Sequence, residues 1–353
     1  MRIVTTASYY GSGSSAITDL LGEYKGNISL GCDFECRIAH DMHGLSDLEY
    51  YLVENNHRHN SSVAIKEFLR LMDIYGLDHS IRFENYADVL KIDFKKAVDN
   101  YINQLSPLSY KGGSHLDIYR QSDFLLGWLK LKGRIFRYLN KPTKITADDT
   151  SWLKVKKSPL VKAREKEISY IVNPNIPFLD ITRRFTDSLF SHYLLREGSF
   201  LVVDQLVPPS NTMRYVRYFN NLKVICVDRD PRDIYYNEKA FIKGGVIPVD
   251  DVKMFISWYK STRAHKYHEK DDPSVIMRLN FEDIIYKYDS VVSSIEEFLG
   301  LLPETHINPQ KFLNPEVSIK NIGKWRSDHS EFNNINAIEK ELIGTIYYND
   351  KND

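Results

Sequence analysis

Cysteine is scarce: Cys32, Cys36 and Cys226 are the three in 353 residues. An odd count this low in a chain this long excludes a disulfide framework, and Cys32 and Cys36 have no His or Cys pair elsewhere to complete a zinc pattern. Cys226 sits in an apolar run and reads as a small core residue. Net charge is missing too, because 47 Lys and Arg balance 47 Asp and Glu. That excludes a nucleic-acid binder working through bulk positive charge and leaves room for a local basic pocket. No run approaches about 18 apolar residues, so no segment reads as a membrane span. Met1-Arg2 leads into a strand-like run without a long apolar stretch, so no signal peptide is expected. Internal repeats and low-complexity tracts are lacking. These absences lead us to expect a soluble, cytoplasmic protein in a reducing compartment.

Enough remains for a core. Hydrophobic residues make up 42% of the chain and charged residues 27%, which suits one large domain or two ordinary ones. Short β-branched runs at 2–7, 200–203, 223–227 and 275–279 read as buried parallel strands, with a weaker strand near 27–30 or 34–38. Ala16, Ile17, Leu20, Leu21 and Tyr24 form an apolar helical stripe. Val291, Val292, Ile295, Phe298 and Leu299 form another, stopped by Gly300. Ser210 is placed to cap a helix carrying Met213, Val216 and Phe219. From about 45 to 198 the chain reads mostly as helix, for example at 61–75, 87–105 and 176–197, with a Lys-rich polar stretch at 141–159. The expectation is one α/β domain with a central parallel sheet. Its core is 1–40 and 199–330, its long helical insertion spans about 45–198 and shapes the pocket, and a C-terminal helix covers about 335–348. Tyr is abundant at 23, and aromatic platforms for a sugar or an adenine are one use for it.

Two motifs follow strands. The first is Gly11-Ser12-Gly13-Ser14-Ser15-Ala16. A strand, a glycine-rich turn and then a helix aim several backbone N–H groups at one spot and add the positive end of the helix dipole, which makes an anion site. The nucleotide-triphosphate pattern G-x-x-x-x-G-K-[ST] is not met, because the next Lys after Gly13 is Lys25, so ATP with Mg²⁺ is disfavoured. G-x-G-x-x-G is met only in its variant ending in Ala16, which leaves a dinucleotide open. The second motif is Arg229-Asp230-Pro231-Arg232-Asp233, directly after the run at 223–227. That end of a strand lines the ligand crevice of an open α/β sheet. Arg offers phosphate oxygens a planar fork. Pro231 can start a helix, Asp233 would sit in its first turn, and Asn237 lies two turns after Arg229 as a further donor.

Together these stretches resemble the sulfotransferases that use 3′-phosphoadenosine 5′-phosphosulfate (PAPS). In that family a first loop of the type basic-S-G-[ST]-[ST] binds the 5′-phosphosulfate, and R-x-P-R-D with a Ser eight residues after its first Arg binds the 3′-phosphate. "VIMRLNFEDI" with "SSIEEFLGL" is similar to the family's strand, "(Y/F)ED(L/I)" and "FLGL" segment. "IKNIGKWR" at 319–326 resembles its C-terminal cofactor loop. The resemblance covers 2–25 and roughly 200–330, not the insertion. It implies a P-loop-like three-layer α/β fold and in-line transfer of a sulfuryl group from PAPS to an acceptor hydroxyl or amine, leaving PAP, with no metal. The expected acceptor is a saccharide or a lipid-linked glycan intermediate. Cofactor contacts are implied for Gly11, Ser12, Gly13, Ser14, Ser15, Ala16, Arg229, Asn237, Lys324, Trp325 and Arg326. The family's base is His in some branches and a carboxylate in others. Of Asp33, Glu35, His40, Asp41 and His43, Glu35 is the first choice and His43 the second. Trp128, Lys130, Lys132 and Arg134 in the insertion are candidates for an anionic or sugar acceptor, or else a solvated helix face.

The chain departs from the family in three places. Gly11 occupies the basic slot of the first loop, Asn237 takes the place of Ser, and Ser318-Ile319-Lys320 replaces an Arg-Lys-Gly run. Charge near the transferred group must then come from Lys324, Arg326 or a lysine of the insertion. Two other readings stay open: a PAP- or anion-binding protein with a degenerate site, and a Mg²⁺-ATP phosphotransferase on a related fold.

Overall fold

The computed structural model describes residues 2–57, 59–77, 86–114, 117–118, 122–139, 159–193, 197–267 and 270–348. Its strands are β1 (Ile3–Ser8), β2 (Ile28–Ser29), β3 (Leu108–Lys111), β4 (Ile168–Ile171), β5 (Leu201–Asp204), β6 (Leu222–Asp228) and β7 (Ile276–Asn280). Five of them make one parallel sheet in the order β2-β5-β1-β6-β7. The four principal strands lie within a residue of where the β-branched runs put them. Both weaker candidates contribute, 28–29 as β2 and Glu35 as an isolated parallel bridge to Asp204.

Side chains alternate across the pleat, so each strand serves two cores. Val4, Val202, Ile225 and Val227 face α1 (Ser15–Gly22) and the helices Phe281–Tyr286 and Tyr288–Leu299. Ile3, Leu201, Val203, Val224 and Cys226 face the insertion, including Phe68, Tyr101 and Phe185. The result is three layers. From β1 the chain turns through α1 towards β2, whereas from β6 it turns the other way towards β7. The carboxyl ends of β1 and β6 therefore flank a topological switch point, where open α/β sheets bind ligands.

The insertion differs from the expected run of helices. It contains an antiparallel pair, β3 with β4. The helix expected at 61–75 is Asn60–Met72, continued by a π-turn. The pattern at 87–105 breaks at Lys91, which is left-handed (φ 54°), and Asp93 starts a new helix, Phe94–Leu105, by accepting from the Lys96 N–H. The expected helix 176–197 is Phe178–Leu189. Most of the Lys-rich stretch, residues 141–158, lies outside the described residues. Asn211, not Ser210, precedes the short helix Thr212–Val216, which ends before Phe219. The C-terminal helix is Phe332–Glu341. The three cysteines form no disulfide among the described residues, and burial pushes the Cys32 thiol up to about 12.

Tyr24 lies beyond the end of α1 because of its neighbour. Glu23 is fully buried. Its Oε1 accepts from the Phe312 and Leu313 N–H groups, and its Oε2 accepts from Gln310 N–H and pairs with His306 Nε2 at 2.7 Å. His306 stacks on Tyr24 at 4.4 Å. This knot ties the helix after the first motif to the C-terminal third. A glutamine at position 23 would turn an NH₂ toward groups that need an acceptor. Glu23→Gln is expected to lower stability by about 1–3 kcal/mol, read as a lower urea midpoint at unchanged m-value.

Candidate functional site

The first loop is built by its serines and left open by its amides. Ser12 is fully buried; its hydroxyl lies 2.6 Å from the Tyr9 carbonyl and 2.9 Å from the Val227 carbonyl, and its N–H donates to Tyr9. Ser12 thus stitches the loop to the end of β6. Ala16 N–H donates to the Gly13 carbonyl. Ser14 Oγ accepts from Ser8 Oγ at 2.9 Å and from Gln205 Nε2 at 3.4 Å. Ser15 opens α1 at the surface. The N–H groups of Gly11, Gly13, Ser14 and Ser15 donate to no group among the described residues, so the turn presents free donors at a helix start. Gly11 and Gly13 both have positive φ, 74° and 82°, a conformation that only glycine adopts without strain. A Cβ on Gly13 would lie 2.7 Å from the Phe281 ring.

The second motif divides its charges between structure and site. Asp228, ending β6, pairs with Arg263 at 2.9 Å; Arg263 is 1% exposed and stacks on Tyr259 at 3.6 Å and Tyr9 at 4.2 Å. Asp230 caps the helix Pro231–Asn237 and pairs with Arg232 at 2.7 Å. Arg232 also reaches Glu339 and the Tyr347 carbonyl. Burial pushes Asp233 up to about 6, and its carboxyl accepts from Gly323 N–H at 2.8 Å. Arg229 is what these pairings leave over. Its guanidinium lies 4.6 Å over the Phe281 ring, Nη2 donates to the Asn321 carbonyl, and Nε is buried with no partner among the described residues. Asn237 Nδ2 reaches the same carbonyl at 3.4 Å. The structure therefore brings Arg229 and Asn237 together on one acceptor.

The C-terminal loop closes this side. The turn Lys324–Ser327 packs against the helix Pro231–Asn237. The guanidinium groups of Arg232 and Arg326 lie 4.6 and 5.1 Å from the half-buried Trp325 ring, and Lys324 Nζ sits 4.4 Å over Phe241. Beneath the motif lies Glu282, which sequence reading did not single out. It is 1% exposed, its Oε1 accepts from Asp230 N–H at 3.0 Å, and its Oε2 has no partner among the described residues. Burial pushes its carboxyl up to about 8.

The acid–base candidates separate. Glu35 bridges to Asp204 through the backbone, and its carboxylate pairs with Arg37 at 2.7 Å. Asp204 is buried, held by the Thr6 hydroxyl, and raised to about 6 by burial. His40 Nε2 donates to the Gln205 carbonyl at 2.9 Å, and the Gln205 side chain reaches Ser8 and Ser14. Burial lowers the His40 pKa. The ring is thus neutral near pH 7, with Nδ1 as its acceptor. His43 stands elsewhere, in a cleft of about 220 Å³ with Asp47, Tyr51, Asn60 and Glu67, which no residue of either motif lines. Asp41 is tied to Arg37 and Tyr75. Trp128, Lys130, Lys132 and Arg134 share the helix Asp123–Leu139, which buries no residue.

No family model matches the chain, and no curated protein matches it. Solved structures are similar to it. The sulfotransferase domain from the olefin synthase of Synechococcus PCC 7002 is 14% identical over 97% of this chain and 94% of that one, at a TM-score of 0.39. The sulfotransferase domain from the curacin biosynthetic pathway is 12% identical over 97% of each chain, at 0.38. A retinol dehydratase solved with androsterone and the inactive cofactor PAP is 16% identical over 99% of this chain and 84% of that one, at 0.33.

The raised Glu282 carboxyl gives a pH signature. Its ordinary value is 4.5 and its folded value about 8. Between these the folded state holds a proton that the unfolded state has lost, so stability falls as pH rises. Glu282→Gln keeps the acceptor for Asp230 N–H and removes the titration. Its loss of stability from pH 6 to 8.5 is expected to be smaller than that of the wild type by roughly 2 kcal/mol, measured by urea unfolding at both pH values.

Proposed function

We propose that the chain is a PAPS-dependent sulfotransferase. The observation that carries the reading is the shared Phe281 ring, which packs against Gly13 of the first loop and lies under Arg229 of the second motif. It sets an amide cradle and a guanidinium side by side at the switch point of the sheet, one for each end of a nucleotide bearing two phosphates. The buried, unpartnered Nε of Arg229 fits an anion there.

PAPS supplies the activated sulfuryl group. The residues of the chain position and stabilise. The N–H groups of Gly11, Gly13, Ser14 and Ser15 hold the 5′ end, while Ser12 and Ala16 keep the loop in shape. Arg229 and Asn237 hold the 3′-phosphate, and Lys324 and Arg326 supply cations that Gly11 cannot. Trp325 braces that loop against Arg232. We assign proton removal from the acceptor to His40, whose Nδ1 has no partner among the described residues and which lies one residue contact from the first loop. Glu35 is the alternative. The acceptor of this reading is a hydroxyl compound such as a saccharide or glycan intermediate.

Calorimetric titration with PAP, and separately with ATP and Mg²⁺, tests the cofactor. PAP is expected to bind and Mg²⁺-ATP not to. Arg229→Ala should weaken PAP by about ten- to a hundred-fold, and absence of PAP binding to the wild type would sink the reading. The Gly11 substitution favours a second reading, a PAP-binding protein without turnover, which transfer from labelled PAPS to a panel of acceptors distinguishes.

The base is tested by pairing His40→Gln with Glu35→Gln. Loss of the true base is expected to lower kcat by about 10²–10⁴-fold with PAP affinity unchanged. An unchanged kcat in His40→Gln moves the role to Glu35.

A further inference from the structure

The helix Asp123–Leu139 lies at the surface. It buries no residue, and Phe124 (85% exposed), Trp128, Leu131, Ile135 and Leu139 all face solvent. At the helical repeat of about 100° per residue these five fall within an arc of about 80°. Cations border the arc on both sides. Lys132 flanks one edge, with Nζ 4.8 Å over the Trp128 ring, and Lys130, Arg134 and Arg137 form a stripe beyond the other. Asp123 is the one acid in the helix. The neighbouring helix Pro159–Arg164, which packs against it, adds Lys162 and Arg164. The whole chain has no net charge, so this concentration of cations comes from arrangement and not from composition.

We propose that this helix docks the protein on an anionic bilayer surface, with its axis in the plane of the interface. An apolar strip with an aromatic ring, edged by long cationic side chains, sinks into the boundary of headgroups and acyl chains while the cations reach the phosphates. No described helix is long and apolar enough to cross a membrane, so the helix lies on the bilayer. A second copy of the chain is the poorer occupant. A two-fold contact through the same strip would set Lys130, Arg134 and Arg137 against their own copies. The proposal does not depend on the sulfotransferase reading.

Co-sedimentation with vesicles tests it, using phosphatidylcholine alone and phosphatidylcholine with phosphatidylglycerol in equal parts. The full chain is expected to bind the anionic vesicles at least about ten-fold better, since each cation near the surface is worth about five-fold, and to release at high salt. Leu131→Glu with Ile135→Glu should abolish binding. Lys130→Glu with Arg134→Glu should remove the preference for anionic lipid. All four side chains are exposed, so both variants are expected to keep the wild-type melting temperature. Three results would overturn the proposal: no binding to anionic vesicles, binding that survives Leu131→Glu with Ile135→Glu, or a solution dimer that this variant dissolves.

Discussion

Two buried ion pairs at the end of β6 set the terms for everything around them. Asp228 with Arg263 and Asp230 with Arg232 remove charge from water on either side of Arg229. A buried pair adds little net stability over an apolar one, but losing one partner costs about 3–5 kcal/mol, so neither Asp is free to pair with Arg229. The consequence is a guanidinium in a motif with as many acids as bases whose Nη2 meets only a neutral carbonyl and whose Nε meets nothing among the described residues. Local neutrality is what makes Arg229 available to an anion.

The same pairs reach outward. Arg232 extends to Glu339 and Tyr347, and Asp233 to Gly323, so the turn after β6 gathers the C-terminal segment around itself. Glu282 completes the arrangement from below. A charged carboxylate there would add a third negative group beside Asp230 and Asp233, and burial keeps it protonated instead. Phe281, its neighbour, spends one part of its ring on Gly13 and lies under Arg229. Two residues of one short helix therefore link the first loop and the second motif.

The sheet was legible because buried parallel strands announce themselves locally, as at Val224-Ile225-Cys226-Val227. The two loops were legible because glycine pairs and Arg-Asp-Pro clusters follow such strands. What escaped notice depends on long-range contact. Nothing near Glu23 in sequence predicts that its acceptors are used by His306, Gln310, Phe312 and Leu313. Glu282 lies in the VIMRLNFEDI stretch, but nothing local shows that it accepts from the Asp230 N–H. Ser12 reads as a ligand donor, yet its hydroxyl points at Val227. The insertion misled where one residue changed the backbone, as at Lys91, and where two strands of only four residues each, Leu108–Lys111 and Ile168–Ile171, pair across a long stretch of sequence. Sequence reading put His43 ahead of His40, and nothing local shows that the turn between them sets His40 on Gln205 and His43 in a separate cleft.

The Asn321 carbonyl gives the proposed site its resting state. Arg229 and Asn237 both spend donors on it, so their geometry is set before any ligand arrives. A carbonyl is a weaker partner for a guanidinium than a phosphate oxygen, because only the latter adds charge to the hydrogen bond. Exchange of one for the other therefore favours the anion. Gly323 is tied to Asp233 through its N–H, and Trp325 lies against Arg232. On the sulfotransferase reading, the 3′-phosphate position is prepared by the same buried network that left Arg229 uncommitted.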